Sequence, residues 1–149
     1  MNAIEILEKK NKCLRRLLEE STPFIASLPS DTHQPGEAPL YQSLGGFLRR
    51  REMIVRIMGA YDRKLANILK SSPKDFPENT LERLNILLET KNILINEISK
   101  ADRVIIEALE LEQARVRNEI NHSRKAVDNL QKFKSAWIPE SGEGLDQTL

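Results

Sequence analysis

The grouped prolines do most to narrow what this chain can fold into. Pro23, Pro29, Pro35 and Pro39 form one group, Pro73 and Pro77 a second, and Pro139 stands near the end. Proline has no N–H and a fixed φ, so each group is expected to close a regular helix. Between the groups, apolar residues recur at three- and four-residue steps, the period of an amphipathic helix, and no stretch alternates as a strand does. The 149 residues, 40% hydrophobic and 5% aromatic, are enough for one domain with a core of its own.

A first helix is expected over residues 2–20, with Ile4, Leu7, Leu14, Leu17 and Leu18 as its stripe and Asn11 interrupting it. Residues 21–43 carry four prolines together with Ser, Thr, Asp, Gly and His, and read as a long connection that Phe24, Ile25 and Leu28 can anchor. A second helix starts near Ser43, where Leu44, Phe47, Ile54, Met58, Tyr61, Leu65 and Ile68 follow heptad-like steps until Ser71, Ser72 and Pro73. Asp75 followed by Glu78 fits a capping box, and Pro77 suits the first turn of a third helix. Its seven-residue row runs Leu81, Leu88, Ile95, Asp102, Leu109, Val116, Ser123, Leu130 and Trp137. The companion row is Leu84, Ile98, Ile105, Ala126 and Phe133, interrupted by Lys91, Glu112 and Glu119.

The expected fold is all-α, an antiparallel bundle of three or four long helices. Residues 1–138 form one domain, and residues 139–149 form a mobile tail. At 1.5 Å per residue the third segment spans roughly 90 Å if continuous and the second about 40 Å. The third therefore bends, or the first two lie end to end along it, or a second chain covers the excess.

Lys and Arg total 23 and Asp and Glu 22, so no global field favours nucleic acid or an anionic surface. No apolar run is long enough to span a bilayer, and the N-terminal MNAIEILEKKNK is too charged for a signal peptide. A cytoplasmic location is expected. Cys13 is the single cysteine, which excludes an internal disulfide or a zinc site of several thiolates, and it reads as a small apolar residue. His33 and His122 have no ligand-spaced partners and read as surface residues. The phosphate-binding, dinucleotide, metalloprotease and nucleophile-elbow signatures are absent, and no cofactor or metal is implied. Arg49, Arg50 and Arg51 read as a solvated helix face. Charges at Lys91, Asp102 and Glu112 fall in the seam, where a charge is costly unless paired or wet; with Arg51 they would be the groups of a helical enzyme, the least favoured reading.

Leu130, Phe133, Trp137 and Ile138 collect two aromatic residues at the last turns before Pro139. They are the expected partner-binding residues, since an uncovered apolar helix face marks a binding surface. The alternative is that Trp137 caps the bundle core.

The opening EILEKKNKCLRRLLEE, the segment LRRREMIVRIMGAYDRKL, and the close RNEINHSRKAVDNLQKFKSAW leading to Leu145 and Asp146 together resemble the flagellar type III export chaperones of the FliT/FlgN type. The resemblance covers most of the chain outside residues 21–43. It implies a small cytoplasmic helical bundle, without catalysis, that holds a hook-associated or filament-cap export substrate and delivers it to the export machinery. The proline-rich connection and the near-neutral charge depart from that pattern. The excess length of the third segment separately predicts self-association or an occluded patch, with a homodimer as one way to cover it, and the competing functional reading is a structural coiled-coil or bundle protein that only self-associates.

Overall fold

A computed structural model describes residues 1–28, 40–71 and 76–148, with side chains described for 1–28, 43–71 and 76–136. The protein is all-α: α1 is Ala3–Ala26, α2 is Leu40–Ser71 and α3 is Glu78–Thr148. The chain divides into two units, Met1–Ala108 and Leu109–Leu149.

In the first unit, α1 opens on a capping box. The Glu5 N–H donates to the Asn2 side chain at 2.9 Å and the Asn2 N–H donates to the Glu5 carboxylate at 3.4 Å, satisfying two donors that a helix start leaves without partners. Ile6, Leu7, Leu14 and Leu17 bury their side chains along one face. Lys10 pairs with Asp62 and Glu20 with Arg50, and the Phe24 ring lies on Phe47, so α1 and α2 run antiparallel. Glu8 pairs with Arg83, and the Asn11 amide donates to the Leu87 carbonyl at 3.0 Å, so α1 and this part of α3 run parallel. Leu14 and Leu17 of α1, Ile54 of α2 and Ile98 of α3 form the core where the three helices meet, with Cys13, Leu18, Met58 and Leu94 against it.

Helix boundaries differ from the sequence expectation at both ends of the connection. α1 continues through Pro23 to Ala26, and α2 begins at Leu40. The extra turn of α1 carries Phe24, which is buried and stacks on Phe47 with ring centroids 4.4 Å apart and planes 6° from parallel. Burying a ring of that size outweighs the single backbone bond Pro23 withholds. The rest of the expected connection, like the Asp75 half of the expected capping box, lies outside the described residues. α3 starts just after Pro77, whose carbonyl accepts from the Thr80 and Leu81 N–H groups at 2.8 and 3.1 Å.

α3 differs in a more instructive way. The row Leu81, Leu88 and Ile95 is 47%, 42% and 39% exposed, whereas Ile98, Ala101 and Ile105 are buried and Leu84, Leu87, Lys91 and Leu94 are half-buried. The inward seam of this part of α3 is thus the companion row together with residues 87, 94 and 101. Lys91 sits on it with its stem half-covered, as a long amphipathic side chain can. Of the three arrangements open for the long third segment, tandem coverage is not found, since α1 and α2 pair side by side instead of end to end, and residues 78–148 are one helical element and not two. α3 also runs past Pro139, where an end is expected. A proline removes one rung of the ladder, and the helix continues where the neighbouring rungs form. The backbone of residues 139–148, expected as a mobile tail, continues α3, and their side chains and residue 149 lie outside the described residues.

Candidate functional site

Several charged groups on the inner faces are paired within the fold. Arg51 Nη1 donates to Asp102 Oδ1 at 2.7 Å and Nη2 to Oδ2 at 2.5 Å, the two-pronged geometry a guanidinium and a carboxylate share. Arg51 is half-buried and lies 6.0 Å from the centre of the Phe47 ring, so it departs from the solvated face expected for the Arg49–Arg51 run; Arg49 and Arg50 are exposed. Arg51 and Asp102 are therefore brought together as a structural clamp between α2 and α3. Lys91 lies elsewhere along α3. Glu112 is buried and accepts from Arg115, whose Nη2 is 2.6 Å away; this pairing, with Glu119 on the other side, holds the guanidinium even more firmly protonated than usual.

Cys13 is half-buried against the core, and that burial raises its thiol pKa, while nearby Arg16 pulls it down by less. The thiolate is the reacting form. Alkylation of Cys13 by iodoacetamide at neutral pH is therefore expected to run slower than that of a free cysteine and to gain rate with pH over a range displaced upward from that of a free thiol. A rate equal to that of the free thiol at neutral pH would contradict the burial. Among the described residues no three His, Cys, Asp or Glu side chains are placed to hold a metal ion. The His122 side chain is exposed, beside Asn118, Asn121 and Lys125 on a polar face, and His33 is outside the described residues. A groove of about 580 Å³ between α1 and α3 is lined mainly by charged side chains, including Glu5, Glu8, Lys12 and Arg15, with Asn11 and Ile86.

The expected partner-binding residues belong to the second unit. Leu130 is 57% exposed and Phe133 67% exposed, three residues apart on α3. The backbone of Trp137 and Ile138 continues the same helix, and their side chains lie outside the described residues. Every described residue from 117 to 136 is exposed. Two further apolar residues share the face of Leu130: Ile120 and Val127, 48% and 54% exposed, with Val116 half-buried at its start. Following single seven-residue rows hides them. The alternating steps of four and three from Val116 through Ile120, Ser123, Val127 and Leu130 reveal them.

No helix among the described residues is long and apolar enough to cross a membrane. No protein-family profile, no curated protein and no solved structure matches the chain.

Proposed function

We propose that this chain is a non-catalytic cytoplasmic binding protein of the export-chaperone kind, holding a hook-associated or filament-cap type substrate for delivery to the type III export apparatus. The observation that carries the reading is the apolar face of α3 at Leu130 and Phe133, which the described part of the chain leaves uncovered. A helix face with large side chains at three- and four-residue steps suits a partner helix or groove, and an aromatic ring supplies much contact area for little lost rotamer freedom. Trp137 and Ile138 extend that face by sequence. Support for the chaperone class comes from the chain-wide resemblance, and support for binding over catalysis comes from charged groups that are already paired with one another.

The test is a paired substitution. At concentrations where the chain is monomeric, Leu130→Ala with Phe133→Ala is expected to change the unfolding free energy by less than about 0.5 kcal/mol, as surface positions do, while weakening capture of flagellar export substrates by about tenfold or more. Measuring urea unfolding and substrate binding on the same preparation separates the roles. A loss of several kcal/mol would assign the two side chains to a core, and unchanged binding would remove them from the interface. The self-associating reading is favoured by a different observation, the alternating apolar spacing that begins at Val116.

A further inference from the structure

We propose that residues 116–134 of α3 pair with the same residues of a second copy of this chain as a parallel, in-register, two-stranded coiled coil. The inference does not rest on the chaperone reading, but the two share Leu130, so a second copy and a substrate would compete for it. It begins from a physical tension in the second unit: an isolated helix in water draws little stability from propensity alone, and most of a helix's stability comes from covering an apolar face. Between residues 117 and 136 all side chains are exposed, yet the face running through Val116, Ile120, Val127 and Leu130 is apolar.

The spacing fixes the register. Val116, Ser123 and Leu130 fall at d, and Ile120, Val127 and Lys134 fall at a. The outward b, c and f positions are Asn118, Asn121, His122, Lys125, Asp128, Asn129 and Lys132, with not one apolar residue until Ala136. A seam bounded so sharply by polar residues is built to meet one partner. The β-branched Ile120 and Val127 at a, with Leu130 at d, favour two strands, and a lysine at a, Lys134, also disfavours higher assemblies, whose interiors are drier.

Charge selects both partner and direction. Glu119 is at g and Arg124 at the following e, the positions that face one another across a parallel pair. Within its own chain Arg124 makes no ion pair among the described residues, and it cannot reach Glu119, because five residues along a helix point to different sides. In a parallel dimer each Glu119 meets the partner's Arg124, giving two such pairs. An antiparallel arrangement sets g against g and e against e, so that Glu119 never meets the partner's Arg124 and both pairs are lost. Leu130 enters the seam, and Phe133, at g, lies on its flank.

The experiment uses the full chain carrying Cys13→Ala, which removes the native thiol. Lys134→Cys places a single thiol in the seam, and Lys132→Cys places one on the outer face. Mild oxidation is expected to link Lys134→Cys into covalent dimers at least about tenfold faster than Lys132→Cys, and sedimentation equilibrium should show a reversible dimer for the unmodified chain. Glu119→Arg is expected to weaken that dimer by about tenfold, from loss of two cross-chain pairs and repulsion in their place. Adding Arg124→Glu should restore it. Because Glu119 also pairs with Arg115 in its own helix, a pair lost in both variants, restoration reports the cross-chain contact alone. A monomer at every concentration reached overturns the proposal. So does a dimer in which both thiols link equally, which would place the contact on another surface or in the opposite direction. Failure of substrate capture leaves these readouts unaffected, so the two readings fall separately.

Discussion

Phe47→Ala is expected to lower the unfolding free energy by about 3–5 kcal/mol, the range for a buried aromatic cut back to its Cβ. Phe47 is 2% exposed and Phe24 5% exposed. Truncating one ring uncovers the face of the other and leaves a cavity at the end of the α1–α2 pair, where little remains to collapse into it. Arg51 loses its aromatic neighbour as well. For a unit of this size the loss corresponds to a fall of about 15 °C or more in Tm. Urea unfolding followed by circular dichroism gives the number, and a loss below about 1 kcal/mol would show that the stacked pair contributes little. Phe47→Leu, which keeps much of the volume, should recover more than half of it.

Asp102→Ala is the second large effect, with an expected cost of about 1.5–3 kcal/mol, the range for hydrogen bonds to a charged group. The aspartate accepts two bonds from a guanidinium that is half-buried, so its removal leaves Arg51 with a desolvated charge and no acceptor. The informative comparison is the double-mutant cycle with Arg51→Met. Removing both partners together should cost less than the two single changes combined, by at least about 1 kcal/mol, since Met fills the space without demanding an acceptor. Additive single effects would mean that the clamp is incidental and that both residues act through packing alone. Partial burial also limits screening, so 0.5 M salt should reduce the coupling only modestly.

These two sites show what was legible in the sequence. The stripe of α2 was readable in full: Leu44, Phe47, Ile54, Met58, Tyr61, Leu65 and Ile68 are all buried or half-buried. For α1, Leu7, Leu14 and Leu17 were readable and Ile6 was not, because Ile4 and Ile6 lie close together and a short stripe can be drawn through either. In α3 both seven-residue rows read as seam, and of the two, Leu84, Ile98 and Ile105 face inward while Leu81, Leu88 and Ile95 do not. Charge compensation lies in tertiary structure: Asp102 became acceptable through Arg51, fifty-one residues away, and no periodicity shows a pairing of that range. Phe24 illustrates the same limit, since proline chemistry argued against a helix there and only the distant Phe47 ring explains it. In the candidate site, Leu130 and Phe133 were visible as large apolar residues near a proline, whereas Ile120 and Val127 required the two alternating steps to be read together.

Asn11 has a related lesson. It is 2% exposed, its amide holds the Leu87 carbonyl, and its own carbonyl oxygen has no hydrogen-bond partner among the described residues. A leucine would fill the position with less penalty. The polar side chain instead ties α1 to one alignment along α3, because sliding by a turn would leave both ends of the carboxamide unsatisfied.

The parallel seating of α1 against α3 sets an order in time. Glu8 finds its partner 75 residues downstream and Asn11 finds its partner 76 residues downstream, while the core residue Ile98 lies farther still. When the chain is made from its N-terminus, the first helix to exist is among the last to be completed, since half of the surface that receives it has not yet been synthesised. Until then Ile6, Leu14 and Leu17 have only α2 to lean on. A chain that ends short of residue 87 lacks the α3 surface that receives α1, and α1 and α2 would then keep one apolar side open, the kind of surface that general chaperones hold.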